Sequence, residues 1–172
     1  MRRSPLLALL LVAGCQSAAT TVGPSFVALP VPGGAQEATV VRHTDGDTLT
    51  LRGRGTGPLP GEPTKVRLLL VDTPEDGDVP ECFGPEASQA LAQRVPVGST
   101  VRVTADRQRT DRFGRTLLYV WDDEGRNLQQ HLLADGFAQV LVVRPNTEHL
   151  EAMRAAEDVG RAQGRGVWAC GN

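Results

Sequence analysis

Short β-like runs separated by turn residues follow one another from residue 38 onward, and they limit the fold more than any other feature of the sequence. The runs 39–43 and 48–52 flank Asp45-Gly46, a dipeptide typical of hairpin turns. Further apolar runs occur at 65–71, 101–104, 117–121 and 140–143. This series predicts a small sheet or barrel.

Helical patterns lie between and after these runs. Pro85 stands where a first helical turn tolerates proline, just before residues 86–94. Asn127 is placed to cap a second helix, which Gly136 ends. Apolar residues recur every three positions on a last helix: Leu150, Met153, Ala156 and Val159. We therefore predict an α+β domain, a five-stranded OB-fold β-barrel with three helices.

The first residues have the pattern of an export signal. Two arginines precede the apolar run 6–13, which is too short to span a bilayer. The run ends in Val-Ala-Gly-Cys15, which resembles the bacterial lipobox, where the cysteine is acylated. We predict a lipoprotein signal peptide over 1–14 and a flexible tether over 15–37, which is rich in small and polar residues. The protein would then be exported and anchored in the bacterial cell envelope by the lipid; an ordinary secretory peptide is the alternative.

Three cysteines, Cys15, Cys82 and Cys170, are an odd number for an exported protein. If Cys15 carries lipid, the other two are free to pair, and export favours a Cys82–Cys170 disulfide. The alternative is two free or metal-bound thiols, although two cysteines without a C-x-x-C spacing make a poor zinc site.

Charge limits how the chain could handle nucleic acid. The formal net charge is −2, which argues against a protein that coats nucleic acid by bulk charge, so any such binding must use a local basic site. Arg67 and Arg115 are candidates, because their guanidinium groups offer planar, bidentate donors for phosphate. Alone, Arg67 could equally pair with a surface acid, and 108–115 could be a solvated loop.

Acidic residues near the turn and after the third run could supply the remaining chemistry. A hard divalent cation needs oxygen ligands, which Asp47, Asp72 and the carbonyl of Thr73 can provide. Glu75 can position or deprotonate a water molecule. Asp-Gly alone is more often a simple turn, but together with the two arginines these groups form a minimal set for phosphodiester hydrolysis.

The same segments occur, in the same order, in the staphylococcal (micrococcal) nuclease or thermonuclease family, which the sequence resembles over roughly 38–169. The matching segments are Asp-Gly-Asp-Thr at 45–48, Arg-Leu-Leu-Leu-Val-Asp-Thr-Pro-Glu at 67–75, Gly-Pro-Glu-Ala-Ser at 84–88, Gln-Arg-Thr-Asp at 108–111, Phe-Gly-Arg at 113–115, Arg-Pro-Asn at 144–146, and Trp168.

The resemblance implies an OB barrel with three helices in a domain spanning 38–172. It implies calcium held by Asp47, Asp72 and the Thr73 carbonyl, with Glu75 as the general base or the group that orients the attacking water. Arg67 and Arg115 would bind the scissile phosphate.

The family's activity implies an enzyme, expected to be monomeric, that cuts DNA and RNA at the P–O5′ bond and leaves 3′-phosphate ends. It also implies a cis Arg144-Pro145 bond. Two alternatives stay open, a catalytically inactive OB-fold module that binds nucleic acid and a structural lipoprotein of the envelope.

Three substrate positions depart from the family pattern. Leu141 and Val143 stand where the family's type member has two tyrosines beside the bound base, and Phe113 stands where it has a phosphate-contacting tyrosine. We expect weaker base binding in consequence. The alternative is that Leu141 and Val143 face the core and Phe113 takes over the stacking.

Overall fold

The computed structural model describes residues 23–171, so the predicted signal peptide and Cys15 lie outside the described residues. It has five strands and three α-helices, followed by a short 3-10 helix, η1. The strands are β1 (Gln36–His43), β2 (Thr48–Gly53), β3 (Pro63–Leu68), β4 (Thr100–Thr104) and β5 (Thr116–Trp121). The helices are α1 (Gly84–Arg94), α2 (Leu128–Ala134), α3 (Leu150–Ala162) and η1 (Gly166–Ala169).

The strands form a closed barrel in the order β1-β2-β3-β5-β4, which confirms the predicted α+β barrel with three helices. All neighbours are antiparallel except β3 and β5, which run parallel. The predicted Asp45-Gly46 hairpin joins β1 to β2, with Thr39 opposite Arg52 and His43 opposite Leu49. Closure leaves no free sheet edge, and the inward side chains of all five strands share one core.

The helices begin and end where local chemistry directs them. The side chain of Asn127 accepts a hydrogen bond from the Gln130 N–H and caps α2, as the sequence predicts. Gly136, at φ 79°, follows this helix in the left-handed conformation. On α3 the three-residue spacing buries Met153 and Ala156 in the hydrophobic core, with α3 packed mainly on α2.

Two apolar runs differ from their predicted extent. The run 65–71 leaves the sheet after Leu68, because Leu70 adopts a left-handed conformation at φ 61° and turns the chain. The run 140–143 forms no strand, because five strands already close the barrel and leave it no partner. It lies on the surface, where Leu141 and Val143 are 42% and 59% exposed.

The second half of the predicted tether packs on the domain. Phe26, Leu29 and Val31 contact the core, and β1 already begins at Gln36. The buried side chain of Gln130 accepts the Leu29 N–H at 2.8 Å, and the Trp121 indole donates to the Leu29 carbonyl at 3.0 Å. The domain therefore starts near residue 26, and we name residues 26–31 the N-terminal strap.

Among residues 23–171, no helix is long and apolar enough to cross a membrane.

Candidate active site

The hairpin turn between β1 and β2 carries Asp47 at its end. The Asp45 carboxylate accepts the Asp47 N–H at 3.1 Å, and the Leu68 N–H donates to the Asp47 carbonyl at 2.9 Å. Gly46 lies against Thr73 so closely that a Cβ atom there would collide with the threonine side chain. The glycine is therefore needed for the turn to reach the segment that follows β3.

Arg67 on β3 is the centre of the cluster. Its Nη2 lies 2.9 Å from Asp47 Oδ2 and 2.7 Å from Asp72 Oδ1. Its Nη1 donates to the carbonyls of Leu68 and Val71 at 2.8 and 2.6 Å. The side chain is only 11% exposed, so these charge-assisted bonds form in a poorly solvated environment where they are strong.

The backbone after β3 is bent around this guanidinium. Leu70 occupies the left-handed region, which costs a residue other than glycine roughly 1–2 kcal/mol. The turn directs the Val71 carbonyl to Arg67 Nη1 and places Asp72 next to Nη2. A strained residue at this point is typical of a site where geometry serves function.

Asp47 is the buried member of the acidic pair. Its Oδ2 accepts the Thr73 N–H at 3.1 Å, and its Oδ1 accepts the Thr48 hydroxyl at 3.0 Å. Burial raises the pKa of Asp47 to about 6, and the neighbouring Arg67 guanidinium opposes this rise most strongly. A second cation beside Asp47 would favour its ionised form further.

The loop that carries Glu75 is closed on itself. The Glu75 N–H donates to the Glu81 carboxylate at 3.0 Å, and the Glu81 N–H donates to the Glu75 carbonyl at 2.9 Å. Gly84 packs on that carbonyl with no space for a Cβ atom. The Glu75 side chain itself is exposed, and its carboxylate has no hydrogen-bond or ion-pair partner among residues 23–171.

The structure joins this loop to the C-terminal end of the domain. Cys82 and Cys170 form a disulfide at a sequence separation of 88. A cleft of about 380 Å³ beside the disulfide is also lined by Asp72, Thr73 and Pro74.

Arg115 lies one residue before β5 and is held in place by Asp111. Asp111 Oδ2 accepts Arg115 Nε at 2.7 Å, and Asp111 Oδ1 accepts the backbone N–H groups of Phe113 and Arg115. Although burial opposes it, these hydrogen bonds hold the pKa of Asp111 below its usual value. Within the described part of the chain, the two Nη atoms of Arg115 make no ion pair, which leaves them available for a ligand.

One cavity of about 480 Å³ brings the predicted phosphate and base positions together. Arg67 and Arg115 line it, and so do Phe113, Leu141 and Val143. Because Leu141 and Val143 are exposed on this cavity, the alternative that they face the core is wrong. Phe113 is 68% exposed, and the guanidinium of Arg115 lies 5.5 Å from its ring centre.

Two residues that the sequence analysis did not assign fix the cavity walls. Buried Asn146 pairs with the backbone of Gln108 through two hydrogen bonds of 2.8 and 2.9 Å. This pair joins the loop that leads to Arg115 to the segment 141–146, which includes the cis Arg144-Pro145 bond. Both residues lie in sequence segments that match the family, and this match could have identified them from the sequence. Asp111, which orients Arg115, is a third such residue.

Comparison with known proteins agrees with the fold. A family model described as "Staphylococcal nuclease homologue" matches residues 65–170. A thermonuclease of Staphylococcus hyicus is 32% identical over 134 residues, which cover 76% of this chain and 74% of that protein.

Two endonucleases of Bacillus subtilis are also similar. YncB is 33% identical over 76% of this chain and 61% of its own length. The SPbeta prophage-derived YokF is 31% identical over 77% of this chain and 44% of its own length. The chain thus spans less than two thirds of either B. subtilis protein.

Proposed function

The chain belongs to the staphylococcal nuclease family, and from this premise we propose that it is a calcium-dependent endonuclease acting on DNA and RNA. The observation that carries the proposal is the Arg67 guanidinium, which bridges Asp47 and Asp72 and lines one cavity with Arg115. The B. subtilis relatives YncB and YokF bear the name endonuclease, and the S. hyicus relative bears the name thermonuclease.

The donor set fits a calcium ion. Asp47 and Asp72 present carboxylate oxygens to the same Arg67 nitrogen, and Thr73 is held beside Asp47 by its N–H. Among residues 23–171 no group of three or more acidic, histidine or cysteine side chains could hold a metal ion, so the remaining ligands would be carbonyl, water and phosphate oxygens. Calcium tolerates such an open, irregular site better than magnesium does. When bound, it supplies positive charge beside the scissile phosphate.

The side chains of this protein would divide the remaining work. Arg115 binds and orients the phosphate through its two Nη atoms, while Asp111 fixes the Nε side of its guanidinium. Arg67 also lines this cavity and adds positive charge to it. Glu75, whose carboxylate has no partner within residues 23–171, accepts the proton of the attacking water as the new P–O bond forms and the P–O5′ bond breaks. The departing 5′ oxygen takes a proton from solvent, so the products carry a 3′-phosphate and a 5′-hydroxyl end.

The test is hydrolysis of plasmid DNA and of RNA by the purified domain, with calcium and with a chelator. We expect cleavage only with calcium, with 3′-phosphate termini on the products. Glu75→Gln should be severely impaired, whereas Glu151→Gln, the same change at an exposed position of α3, should retain wild-type rates. Full activity in chelator would contradict the mechanism. Binding of DNA without any cleavage would support the alternative of an inactive OB-fold module.

We also propose that the protein is exported and anchored by lipid on Cys15, on the strength of the Val-Ala-Gly-Cys15 sequence. A radiolabelled fatty acid should mark the wild type but not Cys15→Ser. A mature N-terminus at another residue would indicate an ordinary secretory peptide.

A further inference from the structure

Three cations cluster on the outer face of the barrel next to the candidate site. Thr50 on β2 lies opposite Arg42 of β1 on one side and opposite Lys65 of β3 on the other. Arg52 lies two positions further along β2 and therefore shares the face of Thr50. We name Arg42, Arg52 and Lys65 the basic strip. All three are exposed, whereas Thr50 between them is only 9% exposed.

The strip leads directly to the site. Lys65 and Arg67 are two residues apart on β3, so they lie on the same face at a separation of roughly 6.6 Å along the strand. Arg67 lies directly opposite Thr48 on the neighbouring strand β2. A ligand that runs along this face from Thr50 would therefore reach Arg67 and the cavity beside it.

None of the three cations forms an ion pair within residues 23–171. Glu37, at the far end of the same face, is engaged by Arg54 at 3.0 Å, and Glu62, just before β3, has no cation partner in that part of the chain. Clustered like charges on neighbouring strands are unfavourable for folding. Repulsion among these cations destabilises the isolated domain, and an anionic partner would relieve it. The cations form this local basic cluster although the net charge of the protein is −2.

We propose that the basic strip binds the phosphate backbone of a single polynucleotide strand and extends the substrate site beyond the scissile bond. This inference rests on the proposed function for its substrate class. The partner is a polynucleotide because a row of separated cations across three neighbouring strands matches a row of phosphates. The contact is electrostatic and independent of sequence, because Phe113, the only strongly exposed aromatic residue of the described chain, belongs to the cavity and not to the strip.

The test is the double variant Arg42→Gln/Lys65→Gln. Equilibrium binding of a labelled single-stranded oligonucleotide of about 12 nucleotides, within the range of OB-fold site sizes, is measured by anisotropy in chelator over a range of salt concentrations. We expect affinity to fall several-fold at low salt. The slope of log affinity against log salt should decrease by about 0.7 for each cation removed. The loss should be larger for this oligonucleotide than for a dinucleotide.

The matched control is Arg154→Gln/Arg165→Gln, which makes the same change of net charge on and after α3, outside the strip. The inference fails if the two double variants lose affinity equally, or if the salt slope of the strip variant equals that of wild type. Thermal unfolding of the strip variant should be unimpaired, because like charges are removed. If the double variant is destabilised, the single variant Arg52→Gln is measured in the same binding assay instead.

Binding and hydrolysis separate the two claims. If the strip contributes salt-dependent binding of the oligonucleotide but the protein hydrolyses no phosphodiester, the proposed function is refuted and this inference stands. Calcium-dependent cleavage with a strip variant that binds like wild type would refute this inference alone.

Discussion

Removing the disulfide should destabilise the domain strongly. The Cys82–Cys170 bond closes a loop with a sequence separation of 88. Chain-entropy reasoning for a loop of that length gives about 4.6 kcal/mol of stabilisation, because the cross-link restricts the unfolded chain. For a domain of this size, that corresponds to a fall in the unfolding midpoint of roughly 10 °C.

The assay is urea unfolding of wild type and of Cys82→Ser/Cys170→Ser, both without reductant. The variant should have a lower free energy of unfolding and a steeper dependence on urea, because its unfolded chain exposes more surface. Wild type treated with an excess of dithiol reductant is the matched control and should behave like the variant. A difference below about 1 kcal/mol, or two titratable thiols in the unfolded, unreduced wild type, would refute the reasoning.

Further effects follow from the contacts of other elements. Deletion of residues 23–33 removes the strap's hydrogen bonds to Trp121 and Gln130, and it should lower the free energy of unfolding by about 3 kcal/mol in a urea titration. An unchanged midpoint would mean that the strap packs on the domain without stabilising it. Asn127→Ala should cost about 1 kcal/mol in the same assay through loss of the α2 cap, and no cost would show that the cap is dispensable. Burial favours the neutral form of Asp106, but hydrogen bonds from backbone N–H groups and the Tyr119 hydroxyl outweigh it and lower the pKa of this carboxyl. Ionised Asp106 therefore stabilises the folded protein above the unfolded pKa of about 3.9, and this contribution is lost as the pH falls through the folded value. Asp106→Asn should therefore be less stable than wild type at neutral pH, with a difference that shrinks as the pH falls below about 4; a constant difference would contradict this.

The elements with strong local signals were predictable from the sequence. The Asp45-Gly46 turn, the Asn127 cap and the spacing of Met153 and Ala156 each depend on neighbours within a few residues. The strap could not be found in this way. Its backbone is held by Gln130, about one hundred residues away, and its own sequence has no apolar periodicity.

The end of β3 shows a second limit. The apolar run to Val71 suggests an uninterrupted strand, and leucine normally avoids the left-handed conformation that Leu70 adopts. The turn there directs the Val71 carbonyl toward the Arg67 guanidinium, a contact that propensity does not encode. Sequence reasoning named Arg67, Asp47 and Asp72 as one site, but not that one nitrogen of Arg67 contacts both carboxylates.

The central claim is that the cavity beside Arg67 is a phosphodiesterase centre, and kcat of Arg115→Lys tests it most directly. Arg115 is partly exposed, and within residues 23–171 its guanidinium forms one ion pair, through Nε with Asp111, so the substitution should leave the fold intact. Lysine keeps the charge but loses the planar fork for two phosphate oxygens. The account predicts a fall in kcat of roughly a hundredfold with saturating calcium and DNA. A kcat within a few-fold of wild type would contradict it.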